Sequence, residues 1–236
     1  PEKTVYIDGS EWTCTGNPNS GQTYRAQVLK DDSARREDPW VNIDMMQKAK
    51  FYFKRECYTK DLSLGIYPLL FGANTDYFTS NDKEKSIDLF CAFGQDKDGL
   101  RKEAIYYSKK ARDMGYKVVV KNNMSRQEYL DTLSKSRISI DSWGGGDCCK
   151  RLWENLAAKT CCLMQDYRIE FPDSFTDGIN ILKYTDESSL KDKIFWALEN
   201  PEATKVIADR GHNHLLEKHT SVKRVEYIFD ILGKNK

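Results

Sequence analysis

Short apolar runs and amphipathic stretches alternate along the second half of the chain. IDLFCAF (87–93) precedes a helical pattern over roughly 99–114. KVVV (117–120) precedes a helix opened by Ser125 and carrying Tyr129, Leu130 and Leu133. RISID (137–141) leads into WGGGDCCKRLWENLAAK (143–159), a glycine run followed by a charged helix. TCCLM (160–164) and INILKY (179–184) complete five strands. Residues 187–200, 201–219 and 221–232 read as three closing helices, with Pro201 suited to a first helical turn. Strands that alternate with helices pair in parallel and are covered on both faces by right-handed crossovers. The expected product is an α/β, doubly wound, Rossmann-like parallel sheet over 86–236.

The first 80 residues follow a different pattern. VYIDG predicts a strand, and SEWTCTGNPNSGQT a polar loop. A helical stretch is expected over 42–56, carrying Met45, Met46, Ala49 and Phe53. GIYPLLFGAN (65–74) reads as a strand with an exit loop, and TSNDKEK (79–85) as a charged linker. Residues 1–80 are too few for a second full doubly wound domain and predict a partial α/β region. The opening PEKTVYIDG lacks an initiator methionine and runs at once into a strand, which points to a start upstream of Pro1.

Composition narrows the function classes. Of 236 residues, 39% are apolar and 31% charged, with 37 cations against 36 anions, a net charge of +1. That balance gives no broad electrostatic footprint for nucleic acid, so no nucleic-acid partner is expected. No apolar run is long enough to span a membrane, and no signal peptide opens the chain. The seven cysteines are odd in number and four form adjacent pairs (Cys148–Cys149, Cys161–Cys162). That pattern suits reduced thiols and a cytoplasmic protein better than a disulfide framework. C-x-x-C spacing is absent, so no metal site is expected.

In an open parallel sheet, ligands bind beyond the carboxyl ends of the strands. Those positions hold Gly94, Gln95 and, further on, Arg101 after the first strand, and Lys121, Asn122 and Asn123 after the second. After the third come Trp143, Gly144, Gly145, Gly146 and Asp147. Glycines let a ligand approach the backbone, and the first amides of the next helix favour an anion. Lys150 and Arg151 add charge in that first turn, and Glu154 lies one turn on, placed to accept two hydroxyl hydrogen bonds from a ribose. Asp147 is also placed to cap the helix. The same residues equally suit a glycine turn before an ordinary helix bearing a solvated Lys150–Glu154 pair. Neither a Walker loop nor a G-x-G-x-x-G fingerprint is present.

RISIDSWGGGDCCKRLWENLAAKTCCLM resembles the donor-binding segment of GT-B glycosyltransferases. FPDSFTDGINILKYTDESSLKDKI and LENPEATKVIADRGHNHLLEKHTSVKR follow in an order similar to group-one glycosyltransferases of the spore-maturation-protein type. The resemblance covers roughly 86–234, with a weaker echo in KAKFYFKREC and PLLFGAN. It implies a glycosyltransferase of hexosyl-transfer type, or its donor-binding half, using a nucleotide diphosphate-sugar and an unnamed acceptor. Glu154 would hold the ribose, and Arg151, Lys150 and the glycine-turn amides the diphosphate. No metal or other cofactor is implied. Some relatives carry a second glutamate eight positions before the ribose-binding one; here that position is Gly146, which leaves Asp147 as the candidate catalytic carboxylate. Relatives also carry a whole N-terminal Rossmann domain, of which this chain holds a remnant. The alternative is a non-catalytic nucleotide-sugar-binding or interaction module on a truncated fold.

Overall fold

The computed structural model describes residues 4–9, 43–74, 83–93, 99–143 and 148–234. Two parallel sheets organise them. Strands β1 (Val5–Asp8), β2 (Phe51–Lys54) and β3 (Ile66–Pro68) form a three-stranded sheet in the order β1-β2-β3. Strands β4 (Ile87–Cys91), β5 (Val118–Val120), β6 (Ser136–Asp141), β7 (Cys161–Gln165) and β8 (Leu182–Tyr184) form a five-stranded sheet in the order β5-β4-β6-β7-β8.

The larger sheet is doubly wound, as its apolar runs predict. Leu89 and Cys91 of β4, Ile138 and Ile140 of β6, and Cys161 and Leu163 of β7 share one buried face with α3 (Leu100–Asp113) and α6 (Glu187–Glu199). The intervening residues point the other way. Phe90 meets Leu133 of α4 (Arg126–Ser134), and Cys162 and Met164 meet Leu152, Trp153 and Leu156 of α5 (Lys150–Ala157). Successive strand side chains alternate between faces, and both faces are covered, so apolar residues are needed at nearly every position. Cys91, Cys161 and Cys162 are buried there as small apolar groups.

The chain leaves β4 for β5, then returns past β4 to β6. The winding direction reverses there, which opens a crevice beyond the carboxyl ends of β4 and β6. The exit of β5 is tied to that of β4: the Asn122 side-chain carbonyl accepts the Phe93 N–H at 3.2 Å, and Lys121 N–H donates to Cys91 O at 3.2 Å.

One sequence expectation fails in the smaller sheet. The helix expected over 42–56 ends early: α1 covers Ile43–Lys48, and Phe51–Lys54 is the central strand β2, buried at all four positions. Phe51 and Phe53 face Leu69 on one side, and Tyr52 faces Ile66 on the other. Consecutive aromatics that each find a partner on opposite faces favour a strand over a one-sided helix. Lys54 is 1% exposed, and its ammonium meets Asp61 at 3.1 Å. Asp61 belongs to the short helix α2 (Thr59–Leu62), and its carboxylate also accepts the Tyr58 N–H at 2.9 Å.

The two sheets are joined at the end of the fold. Helix α7 (Pro201–Lys218) packs on α5 and β7. Helix α8 (Ser221–Lys234) then crosses to the smaller sheet, where Tyr227, Ile228, Ile231 and Leu232 cover the face of Phe51, Phe53 and Leu69. At the crossing, Ala73 N–H donates to His219 O at 2.7 Å and Ser221 N–H to Ala73 O at 3.2 Å. A Cβ on Gly72 would lie 2.5 Å from the Ser221 backbone, so this approach requires glycine. Among the described residues no helix is long and apolar enough to cross a membrane.

Candidate functional site

The crevice at the reversal point is a cleft of about 510 Å³. Its lining comes from three segments. The exit of β4 gives Ala92 and Phe93, and the β5–α4 connection with the start of α4 gives Lys121 to Met124, Arg126 and Tyr129. The start of α5 gives Cys149, Lys150, Arg151 and Glu154. Four cations and one carboxylate therefore face the cleft, a bias toward an anionic ligand.

Helix α5 begins at the N-cap Cys149, whose side chain makes no capping hydrogen bond. The thiol instead reaches Ser142 O at 3.9 Å, and burial pushes it up to about 12, so it stays protonated. Lys150 is exposed at the mouth. Arg151 turns inward, donating to Asp141 Oδ1 at 3.2 Å and Ser142 O at 3.3 Å, with its guanidinium 4.9 Å from the Phe93 ring centre. On Phe93 it is joined by Arg101, 5.4 Å from the same centre.

Asp141 ends β6 and is fully buried. Its carboxylate accepts from Arg151 and from the Tyr167 hydroxyl, and the Tyr184 hydroxyl donates to its backbone carbonyl at 2.9 Å. Burial raises its pKa to about 6, against the opposing pull of Arg151 and Tyr167. These bonds supply the partners that a carboxylate inside the RISID strand requires. They also fix Arg151 as a preorganised cation under the cleft.

Glu154 lies on the cleft wall at 5% exposure. The solvated Lys150–Glu154 pair, one of the two readings of the sequence, is not formed. Arg126 NH1 meets Glu154 Oε1 at 2.6 Å instead, and the Arg126 side chain is 53% exposed. Every residue from Leu152 to Ala157 is buried, Glu154 among them, whereas Lys150 is exposed. Beside this pair, the Tyr129 hydroxyl is buried next to the Glu154 carboxylate. Burial, then the Glu154 carboxylate, raise that phenol well above its ordinary value, so it remains a donor.

Of the residues singled out in the sequence, Lys121, Lys150, Arg151 and Glu154 come together in the cleft. Arg101 stands behind Phe93. Trp143 is turned aside: its indole N–H donates to Asp166 O at 3.2 Å, Arg168 lies 4.0 Å over its ring, and its backbone N–H is held by Gln165. Gly94, Gln95, Gly144, Gly145, Gly146 and Asp147 lie outside the described residues. Sequence reasoning missed Arg126, Tyr129 and Phe93. A signal for Arg126 was present, since Ser125 opens α4 and its hydroxyl caps the Glu128 N–H at 3.2 Å. The residue after that cap begins a helix at the carboxyl side of the sheet, where first-turn side chains border the crevice. Among the described residues no group of three or more histidines, cysteines or acids is arranged to hold a metal.

Residues 83–230, more than half of the chain, match the family described as glycosyl transferase-like. No curated protein matches the sequence significantly. Among solved structures, the chain is similar to a glycosyltransferase from Rickettsia africae ESF-5, with 10% identity and a TM-score of 0.59, over 81% of this chain and 66% of that one. It is similar to a variant of S. aureus TarM in complex with UDP, with 10% identity and a TM-score of 0.58, over 80% of this chain and 45% of that one. It is also similar to Anabaena HepE in complex with UDP, with 8% identity and a TM-score of 0.64, over 98% of this chain and 72% of that one. The chain thus spans less than two thirds of the length of the first two. At these identities the structural likeness concerns fold, and it agrees with the family match: the chain belongs to the glycosyl transferase-like family and has the Rossmann-like α/β fold of GT-B glycosyltransferases.

Proposed function

We propose that this chain supplies the donor side of a glycosyltransferase that takes a sugar from a nucleotide diphosphate-sugar. The observation that carries this reading is the composition of the cleft: one nearly buried carboxylate, Glu154, among Lys121, Arg126, Lys150 and Arg151. A nucleotide diphosphate has the complementary pair of features, a vicinal diol beside two phosphates. Glu154 accepts hydrogen bonds from the ribose hydroxyls. Lys150 and the amides at the start of α5 receive the diphosphate, with Arg151 fixed beneath by Asp141.

In transfer, the bond between the sugar's anomeric carbon and the diphosphate breaks, and negative charge gathers on the departing phosphate oxygen. Cations and helix amides already aimed at that position lower the barrier without reorganising. Asp147, the residue after Gly146 in the sequence, is the candidate catalytic carboxylate in this reading. The acceptor enters from the side of the smaller sheet. The described cysteines are free thiols, in keeping with work in the reducing cytoplasm.

Two similar structures contain UDP, and pneumococcal GtfA is described in complex with UDP and GlcNAc, so uridine donors are the first to test. The purified full-length gene product is incubated with UDP- and GDP-sugars, and release of nucleoside diphosphate is followed. Slow hydrolysis in water, faster with an acceptor, is expected. Binding without any turnover would instead favour a non-catalytic nucleotide-sugar-binding module.

A further inference from the structure

The Glu154 carboxylate, on the donor reading above, must accept hydroxyl hydrogen bonds, yet only 6% of its side chain is accessible and Arg126 lies against Oε1 at 2.6 Å. The two partners differ in exposure. Glu154 sits in α5 within a run of buried residues. Arg126 is at the first position of α4, its side chain half exposed, with its guanidinium 5.8 Å from the Tyr129 ring centre. A ligand that reaches Glu154 therefore displaces Arg126.

We propose that Arg126 is a displaceable cover on the carboxylate, and that the exchange makes it a specificity-determining residue of the donor site. Removing the guanidinium from a nearly buried carboxylate is costly unless other donors arrive together. A vicinal diol brings two, and the buried Tyr129 hydroxyl stands beside Glu154 in the same wall. The cleft thus opens to ligands carrying hydroxyl donors and stays shut to those without them. The displaced guanidinium remains at the rim with Lys121 and Lys150, where an anionic ligand recovers its charge interaction. Neutral nucleosides lose the Arg126–Glu154 pair and gain nothing in return from Arg126; nucleoside diphosphates regain it through phosphate. Selectivity for diphosphate over nucleoside then arises partly from the swap.

The test is a calorimetric titration of uridine, UDP and 2′-deoxy-UDP into the wild type, Arg126→Ala and Arg126→Gln. Thermal unfolding confirms that each variant is folded. With the cover gone, uridine is expected to bind at least about fivefold tighter, and the UDP-to-uridine affinity ratio to fall by about tenfold. The preference for UDP over its 2′-deoxy form should persist, because Glu154 is intact. Unchanged or weaker uridine binding in both variants overturns the inference while leaving the donor reading in place, provided the wild type binds UDP. If neither wild type nor variants bind UDP, the donor reading fails and this inference falls with it.

Discussion

Two buried ionisable side chains give the molecule opposite responses to acid. Burial, followed by Arg224, lowers His219 to about 2, so it is neutral in the fold although an unfolded histidine titrates near 6.5. As pH falls below that value the unfolded chain takes up a proton that the native one refuses, and stability drops by about 1.4 kcal/mol per pH unit. Asp141, raised to about 6, does the reverse. Between about pH 6 and 4 the native carboxyl binds a proton that the unfolded one releases, so stability rises by up to a similar amount per unit. The two slopes nearly cancel. In urea unfolding across that window, Asp141→Asn should lose stability on acidification relative to wild type, because only the histidine slope remains. His219→Asn should gain. Parallel profiles for all three proteins would refute both assignments. At this scale the sequence was partly legible. A carboxylate ending an apolar strand and an acid four residues into a cationic helix are both visible in a string of letters. Which cation reaches Glu154 is not, because Arg126 lies 28 residues away and is brought near only by the winding of the sheet.

Elements were most legible where one physical pattern dominated. Strands β4 to β7 announce themselves as short apolar runs bounded by glycine or polar residues, and both faces of the sheet demand that continuity. Strand β2 was hidden. Met45, Met46, Ala49 and Phe53 also fit helical spacing, and the aromatic contacts that favour a strand involve Tyr67 and Tyr227, far along the chain. Close packing between elements was equally invisible. A glycine inside a helix ordinarily costs about 1 kcal/mol relative to alanine. Gly211 in α7 is an exception, since a Cβ there would lie 2.5 Å from Asn180 O and 2.9 Å from Leu156 Cδ2. Gly211→Ala should therefore destabilise by about 1–3 kcal/mol in chemical denaturation. Gly233→Ala in α8 has open space around it and should be neutral or mildly stabilising. A stabilised Gly211→Ala would mean that α7 does not press on α5 as described.

Across the whole molecule, the two sheets meet through a continuous apolar seam. Leu70 and Ala73 from the β3 exit pack with Trp153 of α5 and with Phe175, and His219 stacks on Phe175 at 4.7 Å between ring centres. Apolar spacing in SVKRVEYIFDIL predicts a helix but not which sheet it covers; in the fold, α8 reaches back to β1–β3. Arg55, leaving β2, donates to Cys148 O at 3.4 Å and so links the smaller sheet to the chain just before α5. A second hollow of about 300 Å³, lined by Ile7, Arg55, Phe71 and Arg224 among others, opens at the carboxyl ends of β1–β3. The carboxyl ends of the two sheets thus hold separate hollows. All of this turns on whether the cationic cleft at α5 holds a nucleotide by its ribose. Calorimetric titration of UDP and GDP into the wild type and Glu154→Ala measures that directly. The account predicts saturable binding of at least one diphosphate by the wild type, weakened by about 1–3 kcal/mol, roughly ten- to a hundredfold, in the variant. Equal affinities in the two proteins, or heat of dilution alone in the wild type, would contradict it.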